Sequence, residues 1–186
     1  MDVFEAIRSR RSIRKYRQEP IPDDRMEMIF EAARLAPSAA NRQPWRFIVV
    51  RDAGRKKALA GAADNQAFLS DAAVIVAAVG DPEASARWHE RDPMIALEHM
   101  ALAAAALGYG TCWIGAFDED AVKRLLKIPA KVRVVALLPI GIPDETPAPR
   151  PRKGLSEIFF KEEWQIPWPT RQEPHQTTRS GTNKSH

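Results

Sequence analysis

Long apolar runs divide the chain, and polar or proline-rich segments separate them. The runs WRFIVV (45–50) and AAVIVAAVG (72–80) are nearly continuous, which is typical of strands covered on both faces of a sheet. VRVVALLPIGI (132–142) predicts the last long strand. The stretch GTCWIGAF (110–117) predicts a further strand that leads into a loop.

Helical spacing of apolar residues marks most of the segments between these runs. The predicted helices cover residues 2–11, 24–36, 53–63, about 65–71, 92–107 and 118–128. In the first of them Val3, Phe4 and Ile7 fall on one face, which predicts an amphipathic helix. The alternation of helices and strands predicts a single α/β or α+β domain.

Two of these helices carry clear boundary signals. The second is expected to be capped by Asp23 or Asp24, and it ends before Pro37. The fifth is expected to have Asp92 as its N-cap and Gly108 just after its last turn. Because this fifth segment is apolar nearly all round, we predict a central, buried helix.

Proline becomes dense after position 139, and the segment that follows has no helical or strand periodicity. Its large aromatic residues are Phe159, Phe160, Trp164 and Trp168. These side chains would be unusually exposed on a monomer, so we expect a partner subunit to cover them.

Composition narrows the class of protein. Hydrophobic residues make up 45% and charged residues 28% of the 186 positions, which is the balance of a soluble globular domain. No apolar run approaches the roughly 20 residues of a membrane-spanning helix. The single cysteine, Cys112, excludes a disulfide framework within one chain and suits a reducing compartment. We therefore expect a cytoplasmic protein without a membrane anchor.

The net charge of +4 is unevenly distributed. The last seventeen residues, 170–186, contain no aliphatic or aromatic side chain and carry half of this net charge. Such a segment cannot bury enough apolar surface to offset the entropy of ordering it. We predict a solvated polar tail here, after a domain that spans residues 1–169.

Three basic or polar clusters remain: RRSIRKY (10–16), PSAANRQPW (37–45) and PRPRKG (149–154). Taken singly, they are a solvated helix end, a loop and a charged turn. Nucleic-acid binding would require a basic face across the fold, whereas acidic residues are interleaved throughout this chain. No helix-turn-helix, zinc or RNA-binding signature appears either, so we expect no nucleic-acid partner.

Other chemistry finds little support in the residue spacing. GYGTCW (108–113) lacks the third glycine of a dinucleotide-binding loop. The histidines have no metal-ligand spacing, and we expect no metal site. His99 is predicted to be a core or interface residue, and Cys112 a small buried one.

In combination, the clusters resemble the nitroreductase family of FMN-dependent oxidoreductases. The resemblance rests on RRSIRKY, APSAANRQPWRFIVV, EHMALAAAALGYGTCWIGAFD and PIGIPDETPAPRPRKGLSEI, in the order and spacing of that family. It implies an α+β fold with a central, mostly antiparallel sheet flanked by helices. It also implies a domain-swapped homodimer in which residues 155–169 embrace the partner and FMN binds at the subunit interface.

The resemblance further implies the residues that contact FMN. One subunit would contribute Arg10, Arg11, Ser12 and Arg14, and the other Pro37, Ser38, Ala39, Asn41 and Gln43. Ile114, Gly115 and Ala116 would lie at the ring edge, where a backbone N–H meets the flavin N5. Arg150, Arg152 and Lys153 would join Arg10 or Ser12 around the phosphate, which arginine forks bind bidentately.

In this family the cofactor carries the redox chemistry, and the resemblance implies no acid, base or nucleophile among the side chains. Arg14 is the candidate that stabilises the reduced flavin. The implied reaction transfers electrons from NADH or NADPH through FMN to nitroaromatic, quinone or related acceptors by a ping-pong mechanism. Alternatives are a same-fold flavin-fragmenting enzyme or reductive dehalogenase, and a non-enzymatic FMN-binding protein.

The chain departs from larger family members at DPEASARWHERD (81–92), which stands in place of a long helical insertion. The lid of the substrate pocket is therefore expected to be reduced or different. Trp88, His89 and Arg91 are candidates for shaping it.

Overall fold

A computed structural model describes residues 1–169. It contains α1 (Val3–Ser9), β1 (Tyr16–Arg17), α2 (Asp23–Arg34), β2 (Trp45–Val50), α3 (Ala53–Ala62), β3 (Val74–Gly80), α4 (Asp92–Ala106), β4 (Gly110–Thr111), α5 (Glu119–Leu126), β5 (Arg133–Pro143) and α6 (Leu155–Ile158). Short 3-10 helices cover Ala39–Asn41 and Ala67–Asp71. The chain divides into two compact units, the first ending at Ala148 and the second beginning at Pro149.

The first unit is built on a five-stranded sheet in the order β1-β5-β3-β2, with β4 pairing with the far part of β5. Every pairing between these strands is antiparallel. β3 lies between β2 and β5, and all seven of its residues are buried. The predicted α+β fold with an antiparallel sheet flanked by helices is confirmed.

Side chains of β3 alternate between two hydrophobic cores, as the period of a strand requires. Val74, Val76 and Ala78 pack with apolar residues of α2 and α4. Ile75 and Val79 pack with those of α3 and α5 on the opposite face. Helices therefore cover both faces of the sheet, which explains why residues 72–79 include no polar side chain.

The two faces of β2 are covered less completely. Phe47 packs against one core and Ile48 against the other. Among residues 1–169, β2 pairs with β3 and lies at an edge of the sheet. Within the chain, Phe47 and Ile48 are only half-buried, and Val49 is 37% exposed. An apolar run indicates that a strand is shielded from water. It does not indicate whether the side chains that shield the strand belong to the same chain or to another one.

The apolar face of α1 is also left uncovered by the rest of residues 1–169. Val3, Phe4 and Ile7 are all more than half exposed, and Ala6 is the one residue of this helix that is buried. Asp2 and Glu5 form a capping box that fixes the start of the helix. The helix itself is therefore as predicted, whereas its hydrophobic face is available to a partner.

Helix boundaries differ from the expected caps at two places. α2 begins directly after Pro22 without a side-chain cap, and the acidic residues Asp23 and Asp24 lie in its first turn. At this position their negative charges interact favourably with the positive end of the helix dipole. α4 begins at Asp92 itself rather than after it.

α4 is buried on one side rather than all round. Its N-terminal half exposes Met94 and Ile95, although Leu97 and Met100 are fully buried. The expected C-terminus is confirmed, since Gly108 follows the last turn with φ +86°.

Three further predictions can be compared with the structure. The helix predicted at 118–128 is α5, and Asp118 caps it by accepting from the N–H of Ala121. The segment predicted as a helix at 65–71 is a 3-10 helix. The strand predicted at 110–117 is reduced to β4 and a single bridge between Ile114 and Leu137.

The second unit, as far as residue 169, contains α6 and a tight hairpin. The hairpin is closed by a bridge between Phe160 and Pro167, and the rings of Phe160 and Trp164 lie 4.8 Å apart. Phe159, Trp164 and Trp168 are exposed within the chain, as the sequence predicted for a monomer. The predicted polar tail at 170–186 lies outside the described residues.

None of the helices over residues 1–169 combines the length and the apolar composition that crossing a bilayer requires.

Candidate cofactor site

The basic segment after α1 is held against the C-terminal end of that helix. Nη1 of Arg11 donates to the carbonyl oxygens of Arg8 at 2.6 Å and Arg10 at 2.9 Å. Carbonyls at a helix C-terminus have no partner within the helix, and a cation there favours the dipole. Arg11 therefore stabilises the helix end in addition to any ligand contact that it makes.

Arg10 is joined to two other parts of the fold through one carboxylate. Its Nε lies 3.6 Å from Oε1 of Glu98 in α4. Oε2 of Glu98 accepts a hydrogen bond from the indole Nε1 of Trp113 at 3.1 Å. The Arg10 side chain is about one-fifth exposed, so this pair positions it at the surface of the first unit.

Sequence reasoning missed the role of Glu98. The signal was present, because Glu98 is the one acidic residue of α4 beyond its first turn. A carboxylate on an otherwise apolar helix needs a polar partner, and here Arg10 and Trp113 supply two.

Ser12 and Arg14 lie beside the segment that follows β4. Ser12 forms a parallel bridge with Thr111, and the N–H of Ile13 donates to the carbonyl of Thr111 at 2.9 Å. The N–H of Arg14 donates to the carboxylate of Glu145. The guanidinium of Arg14 is exposed and makes no hydrogen bond or ion pair within residues 1–169.

Cys112 lies beneath these cations and is 2% exposed. Burial raises the pKa of its thiol, while Arg14, a hydrogen bond with Ser12 and Arg10 act in the opposite direction. The net shift is upward, so the thiol is protonated at neutral pH. A small buried residue was expected here, and that prediction is confirmed.

The loop after α2 has a constrained backbone. Ala40, Asn41 and Gln43 adopt positive φ values of 50°, 54° and 48°. Ser38 Oγ accepts from the N–H of Gln43 at 3.0 Å and closes the loop. Non-glycine residues adopt this conformation rarely, and such strain is concentrated at ligand-binding sites.

Asp92 connects this loop to α4. Its Oδ2 accepts from the N–H of Ala39 at 3.1 Å, and the residue is 2% exposed. Asp92 was expected to cap its own helix, whereas its carboxylate satisfies an N–H of a distant loop. A helix cap and a cross-link between segments require the same short acidic side chain, and only the fold distinguishes them.

The segment Ile114–Ala116 presents backbone donors to the surface. Ile114 is buried and bridged to Leu137 through two hydrogen bonds of 3.0 Å. Gly115 and Ala116 follow it and are exposed. Their N–H groups form no hydrogen bond in the described part of the chain. They are therefore available to an acceptor outside the protein.

These contacts attach two of the predicted groups to different parts of the fold. Ser12 pairs with Thr111, three residues before Ile114, and Arg10 contacts Glu98, whereas the loop 37–43 is tied to Asp92. Glu98 and Asp92 are six residues apart, which is about 9 Å along a helix axis and about 120° around it. No hydrogen bond or ion pair between residues of 1–169 joins the loop to the Arg10–Arg14 segment.

The third predicted group belongs to the second unit. Arg150, Arg152 and Lys153 are exposed there and precede α6, which begins at Leu155. Their side chains form no ion pair with another residue of 1–169. They remain predicted cofactor contacts.

His99 was predicted to be structural, and its contacts agree. Its Nδ1 lies 3.1 Å from the carbonyl oxygen of Ala32, which joins α4 to α2. Across residues 1–169, histidine, cysteine and acidic side chains form no group of three that could hold a metal ion.

Comparison with known proteins decides the family. The family model described as Nitroreductase family matches residues 7–66 and 61–142. The chain belongs to the nitroreductase family.

Relatives of this nitroreductase-family chain span most of its length. One from Methanothermobacter thermautotrophicus, whose name combines NADH dehydrogenase and NAD(P)H nitroreductase, is 38% identical over 81% of this chain and 82% of its own. The FMN reductase (NAD(P)H) of Bacillus subtilis is 31% identical over 87% and 74%. The solved NADPH:FMN oxidoreductase of Vibrio harveyi, complexed with NAD+, is similar with a TM-score of 0.81 at 27% identity, covering 88% and 78%.

Another nitroreductase relative has a different named activity. The 5,6-dimethylbenzimidazole synthase of Rhodospirillum rubrum is 30% identical over 75% of this chain and 82% of its own. Family membership therefore fixes the fold, while the reaction has to be argued from the site.

Proposed function

We propose that this chain is an FMN-dependent oxidoreductase that passes electrons from NADH or NADPH through FMN to small acceptors such as nitroaromatics or quinones. The observation that carries the proposal is the pairing of Ser12 with Thr111. This pairing joins the cationic residues 10–14 to the strand that leads, four residues after Thr111, to the unbonded N–H groups of Gly115 and Ala116. A flavin mononucleotide needs both kinds of donor.

The chemistry of the donors fits FMN. The cofactor presents a phosphate with nearly two negative charges, a polar ribityl chain and a ring with hydrogen-bond acceptors at N5, N1 and O2. Exposed arginines suit the phosphate, and outward-facing N–H groups suit a ring nitrogen. Arg11 is the least available of these side chains, because its Nη1 already serves two backbone carbonyls.

When bound, FMN supplies the chemistry of accepting and donating a hydride. Arg14 would supply a permanent cation beside the ring, and this interaction would favour the uptake of electrons by FMN. Gly115 and Ala116 would orient the ring through their N–H groups. NADH or NADPH and then the acceptor would bind in turn at the exposed side of the cofactor.

We further propose that the site is completed by a second copy of the chain. Phe4 and Ile7 of α1 and Met94 and Ile95 of α4 expose apolar side chains that a monomer leaves in water. Burying such side chains contributes about 25 cal/mol for each Å² of apolar surface. The loop 37–43 of the partner would then provide the contacts to the ring and the ribityl chain.

The first test is an absorbance spectrum. Purified protein should show the two visible absorbance bands of oxidised flavin, with roughly one FMN per chain, and NADH or NADPH under nitrogen should bleach the longer-wavelength band. A colourless protein that cannot be reconstituted with FMN would contradict the proposal.

Arg152→Ala tests the phosphate contact. Loss of a charge-assisted hydrogen bond should weaken FMN binding by about 1.5–3 kcal/mol, measured by quenching of free FMN fluorescence. Arg55→Ala is the matched control, because Arg55 is exposed on α3 and removes the same charge elsewhere. Equal FMN affinity of the Arg152 variant and the control would remove Arg152 from the site.

A second candidate function is favoured by the relative named 5,6-dimethylbenzimidazole synthase. An enzyme that fragments flavin would lose its absorbance irreversibly when reduced in the presence of oxygen. An oxidoreductase of the proposed kind would recover its yellow colour on reoxidation. Reduction followed by readmission of air therefore distinguishes the two activities. The remaining alternative, a reductive dehalogenase, would be recognised by the release of halide from a halogenated phenol.

A further inference from the structure

A cavity of about 420 Å³ lies between the loop after α2 and the segment 81–92. Arg42 lines it from the loop, and Glu83, Arg87 and Trp88 line it from the segment together with the backbone of residues 84–86. None of these side chains was among the predicted cofactor contacts. The cavity is open to solvent and is formed within the first unit.

The charge that lines this cavity is positive. Glu83, the one acidic residue among those that line the cavity, is paired with Lys131, whose Nζ lies 2.5 Å from its Oε1. Arg42 and Arg87 are exposed and form no ion pair and no side-chain hydrogen bond with any residue of 1–169. Each guanidinium offers a planar fork of N–H donors, which matches the oxygens of a phosphate dianion.

Trp88 adds an aromatic surface to the arginines. Its ring is 39% exposed, and the guanidinium of Arg91 lies 5.2 Å from the ring centroid. A cation at this distance holds an aromatic ring by a cation–π interaction. An exposed ring held in this way is suited to stacking with another planar ring.

The segment 81–92 is a preformed wall of this cavity. Ser85, although polar, is 5% exposed, and its carbonyl oxygen accepts from the N–H of His89 and lies 3.0 Å from Nδ1 of the same residue. The N–H of Asp92 donates to the carbonyl of Trp88 at 2.9 Å. A wall held by its own hydrogen bonds loses little conformational entropy when a ligand binds.

We propose that this cavity binds the adenosine end of NADPH, with Arg42 and Arg87 on the 2′-phosphate and Trp88 against the adenine. The inference rests on the proposed function, because Arg42 stands between Asn41 and Gln43 in the loop assigned to the flavin. A dinucleotide whose nicotinamide reaches the flavin would extend its other end over this loop. Because NADH lacks the 2′-phosphate, the cavity makes the enzyme prefer NADPH.

Calorimetric titration of the purified protein with adenosine 2′,5′-bisphosphate and with adenosine 5′-monophosphate tests this directly. We expect the bisphosphate to bind at least about tenfold more tightly, equivalent to about 1.4 kcal/mol, and its affinity to fall more steeply with salt. Arg87→Ala should remove most of this difference, Arg87→Lys should retain part of it, and Arg55→Ala should retain all of it. Equal affinities for the two nucleotides in the unsubstituted protein would overturn the proposal.

Steady-state kinetics provide an independent readout. Arg87→Ala should lower kcat/KM for NADPH at least about tenfold more than kcat/KM for NADH. Equal loss with both donors would overturn the assignment of Arg87 to the 2′-phosphate. If the protein binds the bisphosphate but oxidises neither NADH nor NADPH, the proposed function is wrong and the anion site is supported. If it oxidises both donors with equal efficiency and does not bind the bisphosphate, the anion site is wrong and the proposed function is supported.

Discussion

Replacing Gly80 by alanine should destabilise this fold strongly. Gly80 ends β3, and a Cβ built on it would lie 1.7 Å from the carbonyl oxygen of His89 and 2.6 Å from the carbonyl carbon. Ordinary contact begins at 3.4 Å, so one of the two backbones would have to move by about 1.7 Å. The obstacle is main chain and cannot be relieved by a change of rotamer.

The cost can be estimated from what holds both sides in place. Gly80 pairs with Trp45 in β2 and with Arg133 in β5, while His89 is fixed by its hydrogen bonds to Ser85. Overpacking of well-fixed elements costs about 1–3 kcal/mol and occasionally more. We expect Gly80→Ala to lower the free energy of unfolding by about 3 kcal/mol, at the upper end of this range.

Urea denaturation followed by far-UV circular dichroism measures this change. Gly61→Ala is the control, because Gly61 lies near the end of α3 with no atom within 4 Å of its added Cβ. It should raise the free energy of unfolding by about 0.5–1 kcal/mol, the difference in helix propensity between the two residues. A Gly80 variant within about 0.5 kcal/mol of the unsubstituted protein would show that the segment 81–92 yields easily, which would also undermine the preformed cavity.

Two further predictions concern pH. Burial raises the pKa of Tyr16 above its ordinary 10.0, so the contribution of its protonated hydroxyl to stability is present below pH 10 and is lost as the pH rises above 10. Tyr16→Phe deletes the 2.8 Å hydrogen bond to the carbonyl of Ile13 and should lower the free energy of unfolding by about 1 kcal/mol at pH 7. In urea titrations, this variant should also lose less stability than the unsubstituted protein above pH 10. Burial of Glu119 acts to raise its pKa, but the N–H of Val134 and the cations Lys123 and Arg133 outweigh it, and the net pKa lies below 4.5. Glu119→Gln should therefore be less stable than the unsubstituted protein at pH 7, with a difference that vanishes as the pH falls below 4.5; a constant difference down to pH 3 would refute the ionic explanation.

Local patterns were sufficient for the elements of the interior. The runs at 72–80 and 132–142 predicted β3 and β5, and the helical spacing at 118–128 predicted α5. Such signals are local, because a buried strand must be apolar along its whole length and a helix N-terminus needs a nearby acceptor. The ordered arginine and loop motifs were likewise sufficient to identify the family that the comparisons establish.

Only the tertiary structure decided which partners these residues meet. The run at 45–50 predicted a strand covered as β3 is, yet within residues 1–169 β2 lies at an edge of the sheet and leaves Val49 37% exposed. Asp92 was expected to cap its helix and instead holds Ala39, and Glu98 joins Arg10 to Trp113. The positive cavity of Arg42 and Arg87 unites positions 45 residues apart. Apolar patterning and helix capping are properties of a short segment. Contacts between distant side chains depend instead on how the whole chain folds, because the packing of the helices on the sheet determines which segments become neighbours.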